Sequence, residues 1–198
     1  MNTSRLILAS SSPRRQSLLR EAGFKFITHP ANIDEDNYPR PIRAANLARL
    51  LACQKASAVA DLYPDDLVMG SDTVVVVDLP YGEEEILGKP MNPEHATAML
   101  RKLSGTIHRV ITGVALHCVN SKFHRDAVVT STVQMRKLSD VEIADYVLTK
   151  NWEGKAGGYG IQDKDPFVTN MSGSLTNIVG LPMEATTDLL AEAGIVPS

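Results

Sequence analysis

Arg5-Leu6-Ile7-Leu8-Ala9-Ser10-Ser11-Ser12-Pro13-Arg14-Arg15-Gln16-Ser17-Leu18-Leu19 runs an apolar stretch of strand length straight into a helix start. Residues 5–9 read as a buried strand, and Leu18 and Leu19 open a helical apolar pattern. Ser12 is a good N-cap and Pro13 suits the first helical position. Arg14 and Arg15 follow, where the helix dipole and the free N–H groups favour an acidic residue. Two cations at a positive helix end are mildly unfavourable unless an anion joins them. A strand, a turn of hydroxyl residues and a helix N-terminus make a ready anion site. The plainer alternative is a pair of arginines extended into solvent.

Beyond this unit, helix and strand signals alternate. The helix is expected over 13–22, closed by Gly23, with a strand over 24–29. An acidic loop, Asp34-Glu35-Asp36, leads to a long helix over about 42–62. Strands at 66–70 and 74–78 are expected to bracket a sharp turn, Gly70-Ser71-Asp72-Thr73. Asn92-Pro93-Glu94 caps a helix that stops at Gly105, following the Pro-in, Gly-out asymmetry. Residues 106–118 and 123–136 are rich in β-branched side chains and read as a long antiparallel pair. Ser139 and Glu142 form a capping box for a helix reaching Thr149. A glycine-rich segment over 154–160 precedes a last strand and a helix over about 182–193. This order predicts an α/β protein with a mixed sheet.

The 198 residues suffice for one large domain or two intimate lobes, with 43% hydrophobic and 22% charged residues as in ordinary globular proteins. A net charge of −3 argues against a general nucleic-acid coat or a membrane-surface protein, so any basic site must be local. Cys53 and Cys118 stand outside any CxxC or Cys/His motif, which suits free thiols in a reducing compartment. The apolar residues 6–9 are too short for a signal-peptide core, and no run reaches membrane-spanning length. A cytoplasmic protein is expected.

Several residues could carry chemistry. Asp72, between two apolar strands, suits a rigidly held metal ligand or general base; an Asp turn bonding its own backbone is the alternative. Gly88-Lys89-Pro90 is not a Walker loop, because Gly82 lies one position too far upstream and Pro90 replaces the magnesium-binding Ser or Thr. Lys89 could still meet a phosphate as a point charge, or be a surface lysine. Lys55 has small neighbours, Cys53, Ala56, Ala58 and Ala60, that could let another element approach, although a solvated helix lysine is the commoner explanation for such a residue taken alone. Glu35 belongs to a loop that could hold a divalent cation or simply be hydrated. Lys155-Ala156-Gly157-Gly158-Tyr159-Gly160-Ile161-Gln162 offers backbone approach, a stacking ring and an amide for a base edge, as would a bulged strand. The five histidines have no metal spacing and none pairs with Ser or Cys in a hydrolase motif. Metal-assisted attack by water is favoured over a protein nucleophile.

Taken in order, Leu8-Ala9-Ser10-Ser11-Ser12-Pro13-Arg14-Arg15, Gly70-Ser71-Asp72-Thr73, Gly88-Lys89-Pro90, Leu103-Ser104-Gly105, Gly158-Tyr159-Gly160-Ile161-Gln162 and Val179-Gly180-Leu181-Pro182 closely resemble the Maf family. Its members are nucleoside triphosphate pyrophosphatases, also described as septum-formation inhibitor-like proteins, and the likeness spans essentially the whole chain. The resemblance implies a single domain over 1–198 with a two-lobed α/β mixed-sheet fold, akin in architecture to the inosine triphosphate pyrophosphatases. It also implies a nucleotide-binding cleft between the lobes, dependence on Mg²⁺ or Mn²⁺, a homodimer and a house-cleaning role in nucleotide metabolism. By the same resemblance Asp72 is the catalytic proton acceptor, and Ser12, Arg15, Lys55 and Lys89 bind phosphate. Glu35 is an acidic residue linked to metal and activity. Arg14, Thr73 and Gln162 resemble the branch acting on dTTP and UTP rather than the 7-methyl-GTP branch. One departure follows Gln162, where Asp163-Lys164-Asp165-Pro166 stands in place of the glycine usual in that branch. The alternatives are 7-methyl-GTP or another non-canonical nucleotide as substrate, and a nucleotide-binding regulator of septum formation without turnover.

Overall fold

The opening strand is as short as its apolar run. In a computed structural model of the chain, which describes residues 5–163 and 167–197, β1 (Leu6–Leu8) is buried throughout. Ser12 caps α1 (Pro13–Glu21) by accepting the Arg15 N–H, and Gly23 closes it at a φ of 82°. The helix carries the chain to β2 (Phe26–Thr28), which pairs parallel to β1, as a crossover connection allows.

A long helix follows, α2 (Ala44–Ala60), and then β3 (Leu67–Asp78). Here the structure corrects the sequence reading. Gly70-Ser71-Asp72-Thr73 is not a turn between two strands but the middle of one continuous strand. Gly70 is present for space, not for a bend: a Cβ there would lie 2.2 Å from the Ala52 carbonyl oxygen and 2.6 Å from the Ala56 nitrogen. Gly113 does the same on β5 (Ile107–Cys118), where a Cβ would lie 2.4 Å from the Ala48 oxygen. The backbone of α2 thus lies directly on two glycines in neighbouring strands.

The sheet has the order β2-β1-β3-β5-β6-β7, with β4 (Glu84–Leu87) pairing β3 off this path. β1 and β3 run parallel, whereas β4 is antiparallel to β3 and β7 (Val168–Ser172) is antiparallel to β6 (Phe123–Met135). The mixed α/β sheet expected from the sequence is present. The caps also stand as read: Asn92 accepts from His95 at the start of α3 (Pro93–Leu103), and Ser139 and Glu142 form the reciprocal box of α4 (Asp140–Leu148). β4 has no strand-like alternation and escaped the sequence reading, as did the single-turn α5 (Leu175–Val179). α6 (Met183–Glu192) ends the fold.

The chain divides into two compact units. The first comprises Met1–Asp72, Thr112–Val129 and Gly180–Ser198, and the second Thr73–Ile111 and Thr130–Val179. Each has its own apolar core. Leu8, Leu19, Met69, Leu116 and Leu190 lie in the first. Leu100, Leu103, Val133, Ile143 and the chain's one tryptophan, Trp152, lie in the second. The Trp152 indole N–H donates to the Val147 carbonyl at 3.0 Å. No described helix is long and apolar enough to cross a membrane.

Candidate active site

In the first unit, the close seating of α2 on β3 places a lysine among carboxylates. Lys55 is one residue before Ala56, which touches Gly70, so its side chain is carried inward with the contact. It is only 6% exposed, and Asp72, projecting from β3, is 5% exposed. The Lys55 Nζ lies 2.6 Å from Asp72 Oδ1 and 2.7 Å from Glu35 Oε1. The solvated helix lysine of the sequence reading is therefore replaced by a buried cation shared by two acids. A buried charge needs such pairing, since leaving either partner alone would forfeit hydration without return.

Arg15 joins this cluster from the first turn of α1. Its Nε donates to the Gly180 carbonyl at 2.8 Å and its Nη1 to Ser10 Oγ at 3.2 Å. Burial lowers the guanidinium below its ordinary pKa, the negative charge of Asp72 opposes that shift, and neighbouring Arg14 adds to it. An arginine still stays charged at any physiological pH. Ser12 Oγ accepts the Arg15 N–H at 3.5 Å. Buried Ser71 donates to the same Gly180 oxygen at 3.3 Å. The first unit therefore gathers Ser12, Arg14, Arg15, Glu35, Lys55 and Asp72 around one helix start and one strand.

Thr73, Lys89 and Gln162 belong to the second unit. Lys89 is exposed on the segment between β4 and α3, and this segment is tied to the glycine-rich stretch. The Gly157 N–H donates to the Gly88 carbonyl at 2.9 Å. Gly157 and Gly158 have φ of 69° and 74°, and a Cβ on Gly158 would sit 3.0 Å from the Pro90 ring. Gln162 is exposed at the end of that stretch. Next to it, Asp163 accepts from Tyr146 Oη at 2.5 Å, Lys155 Nζ at 2.6 Å and the Gly160 N–H at 3.0 Å. The rest of the departure noted in the sequence, residues 164–166, lies outside the described residues.

A family model described as Maf-like protein matches residues 5–193. The chain belongs to the Maf-like proteins. Among Maf-like relatives, a protein of Pelotomaculum thermopropionicum named dTTP/UTP pyrophosphatase is 41% identical over 96% of this chain and 96% of its own length. One of a Geobacillus species with the same name is 44% identical over 91% of this chain and 94% of its own. Among solved structures, the Staphylococcus aureus Ham1 protein overlaps 67% of this chain and 72% of its own, with a TM-score of 0.45 and 14% identity.

Some participants in this Maf-like cluster were invisible to side-chain reading. The Gly180 oxygen is a backbone acceptor, and only the chain's return at 180 brings it to Arg15. Ser10 and Ser71 were within quoted motifs, yet nothing in their spacing marked them as anchors. The alternation of β3 could have revealed Asp72 as inward-facing, had Gly70 been read as a gap for a helix.

Proposed function

We propose that this chain hydrolyses nucleoside triphosphates between the α and β phosphates, releasing the monophosphate and pyrophosphate, with dTTP and UTP as substrates. The observation that carries the reading is the buried Lys55 ammonium clasped by Asp72 and Glu35, with Arg15 anchored beside it. The names of near-full-length relatives support the choice of pyrimidine substrate. So do Arg14, Thr73 and Gln162, which match the dTTP/UTP branch.

Asp72 takes the proton of the attacking water, and Lys55 holds that carboxylate in a single orientation. Arg15, Ser12 and the N–H groups at the start of α1 meet phosphate oxygens; for Lys89, in the second unit, a phosphate-binding role rests on the family resemblance. Phosphoryl transfer asks the protein mainly for positioning and charge stabilisation, which such a set supplies. The Gln162 amide reads the base edge, with Asp163 as its anchor. Glu35 and Asp72, both in contact with the Lys55 ammonium, supply hard carboxylate oxygens, the donor chemistry that suits Mg²⁺ or Mn²⁺. When bound, such an ion would supply neutralisation of polyphosphate charge and activation of water. We further propose that the chain works as a homodimer on free nucleotides in the cytoplasm.

The test is product analysis with dTTP, UTP and 7-methyl-GTP in the presence of Mg²⁺. Thymidine or uridine monophosphate plus pyrophosphate is the expected result. A diphosphate plus phosphate, a preference for 7-methyl-GTP, or tight binding without turnover would each overturn the proposal in a different part.

A further inference from the structure

On another part of the first unit, α2 and β6 bring together residues that no sequence spacing connects. Cys53 on α2 and His124 on β6 are 71 positions apart, yet Cys53 Sγ lies 4.0 Å from His124 Nε2. His124 Nε2 is in turn 3.8 Å from Asp126 Oδ1. The three donor atoms all lie within 4.8 Å of one another. The sequence holds no motif that links Cys53 to a histidine; the fold makes the link in space.

We propose that Cys53, His124 and Asp126 form a binding site for a zinc-like divalent transition ion. Bond lengths of about 2.3 Å to sulfur and about 2.1 Å to nitrogen or oxygen at tetrahedral angles require S···N near ~3.6 Å and N···O near ~3.4 Å. The separations of 4.0 and 3.8 Å are within a small side-chain adjustment of those values. A thiolate and an imidazole select zinc-like ions over Mg²⁺, which prefers the all-oxygen pair of Glu35 and Asp72. Half of the outer shell is already built. Arg49 grips the Asp126 carboxylate, with Nε 2.6 Å from Oδ2 and Nη2 2.8 Å from Oδ1. Ligating carboxylates are commonly fixed in this way. His117 meets the His124 ring edge to face at 5.7 Å. Water takes the fourth position, since the His124 side chain is 48% exposed. Burial keeps the Cys53 thiol above its ordinary pKa. Binding therefore breaks the S–H bond, forms the S–metal bond and releases the proton to solvent, without redox change. The guanidinium of Arg49 repels the ion, which makes this a reversible site rather than a permanent one. An ion held here ties α2 to β6.

Titration of the full chain with Co²⁺, followed by absorption, tests the proposal. The expected result is a saturable thiolate-to-cobalt charge-transfer band, which no carboxylate site produces. Cys53→Ser should abolish the band. His124→Asn and Asp126→Asn, both at partly exposed positions, should weaken binding at least about tenfold. In parallel, Zn²⁺ should raise the melting temperature of the parent chain by more than that of Cys53→Ser. A missing band, a band that survives in Cys53→Ser, or unchanged affinity in His124→Asn would overturn it.

Discussion

Lys55 answers to two carboxylates of unequal burial, and this asymmetry separates stability from catalysis. Replacing Asp72 by Asn leaves Lys55 paired with Glu35 at 2.7 Å. The fold should survive, while pyrophosphate release falls about a hundredfold or more, the scale of a lost general base. Lys55→Ala acts the other way, stranding Asp72 at 5% exposure without its cation. Urea denaturation should register a loss of about 3 kcal/mol, as for a broken buried pair. A third residue sets an acid limit. His108 is fully buried, its Nε2 lies 2.6 Å from Tyr159 Oη, and burial lowers it from 6.5 to about 4. The unfolded chain therefore binds the proton more readily, so stability is complete above pH 6.5 and is lost as pH falls toward about 4. At ~1.4 kcal/mol per tenfold in proton affinity the loss amounts to about 3 kcal/mol. His108→Phe should flatten the stability–pH curve in that window.

At the scale of elements, the decisive contact is α2 on β3. Gly70→Ala forces a methyl group to within 2.2 Å of the Ala52 oxygen. We expect a loss of about 1–3 kcal/mol by urea titration, as for an overpacked core. Activity should fall as well, because the same shift displaces Lys55 from Asp72. The contact also marks the limit of what the sequence disclosed. β1, α1, α3 and α4 were legible because local signals write them: an apolar run, Ser12, Pro13, Asn92 and the Ser139–Glu142 box. Gly70 was misread because a glycine among Ser, Asp and Thr looks the same whether it bends the chain or clears room for a helix. The burial of Lys55 and the meeting of Cys53 with His124 are products of that packing. No local pattern encodes them, since their partners are 17 and 71 positions away.

For the molecule as a whole, a net charge of −3 means that any attraction for a triphosphate comes from cations placed locally. The family resemblance brought nine candidate site residues into view from the sequence, but not their assignment to one unit or the other. Six of the nine fall in the first unit and three, Thr73, Lys89 and Gln162, in the second. β3, β5 and β6 each contribute residues to both units. Trp152 gives this arrangement a built-in optical probe. Its emission comes only from the second unit, where the indole is 6% exposed, so a red shift during denaturation dates the opening of that core alone. Far-ultraviolet circular dichroism averages over every helix. Because three strands share their backbone between the cores, the two signals should trace one superimposable curve; fluorescence that moves first would show the tryptophan-bearing half melting on its own.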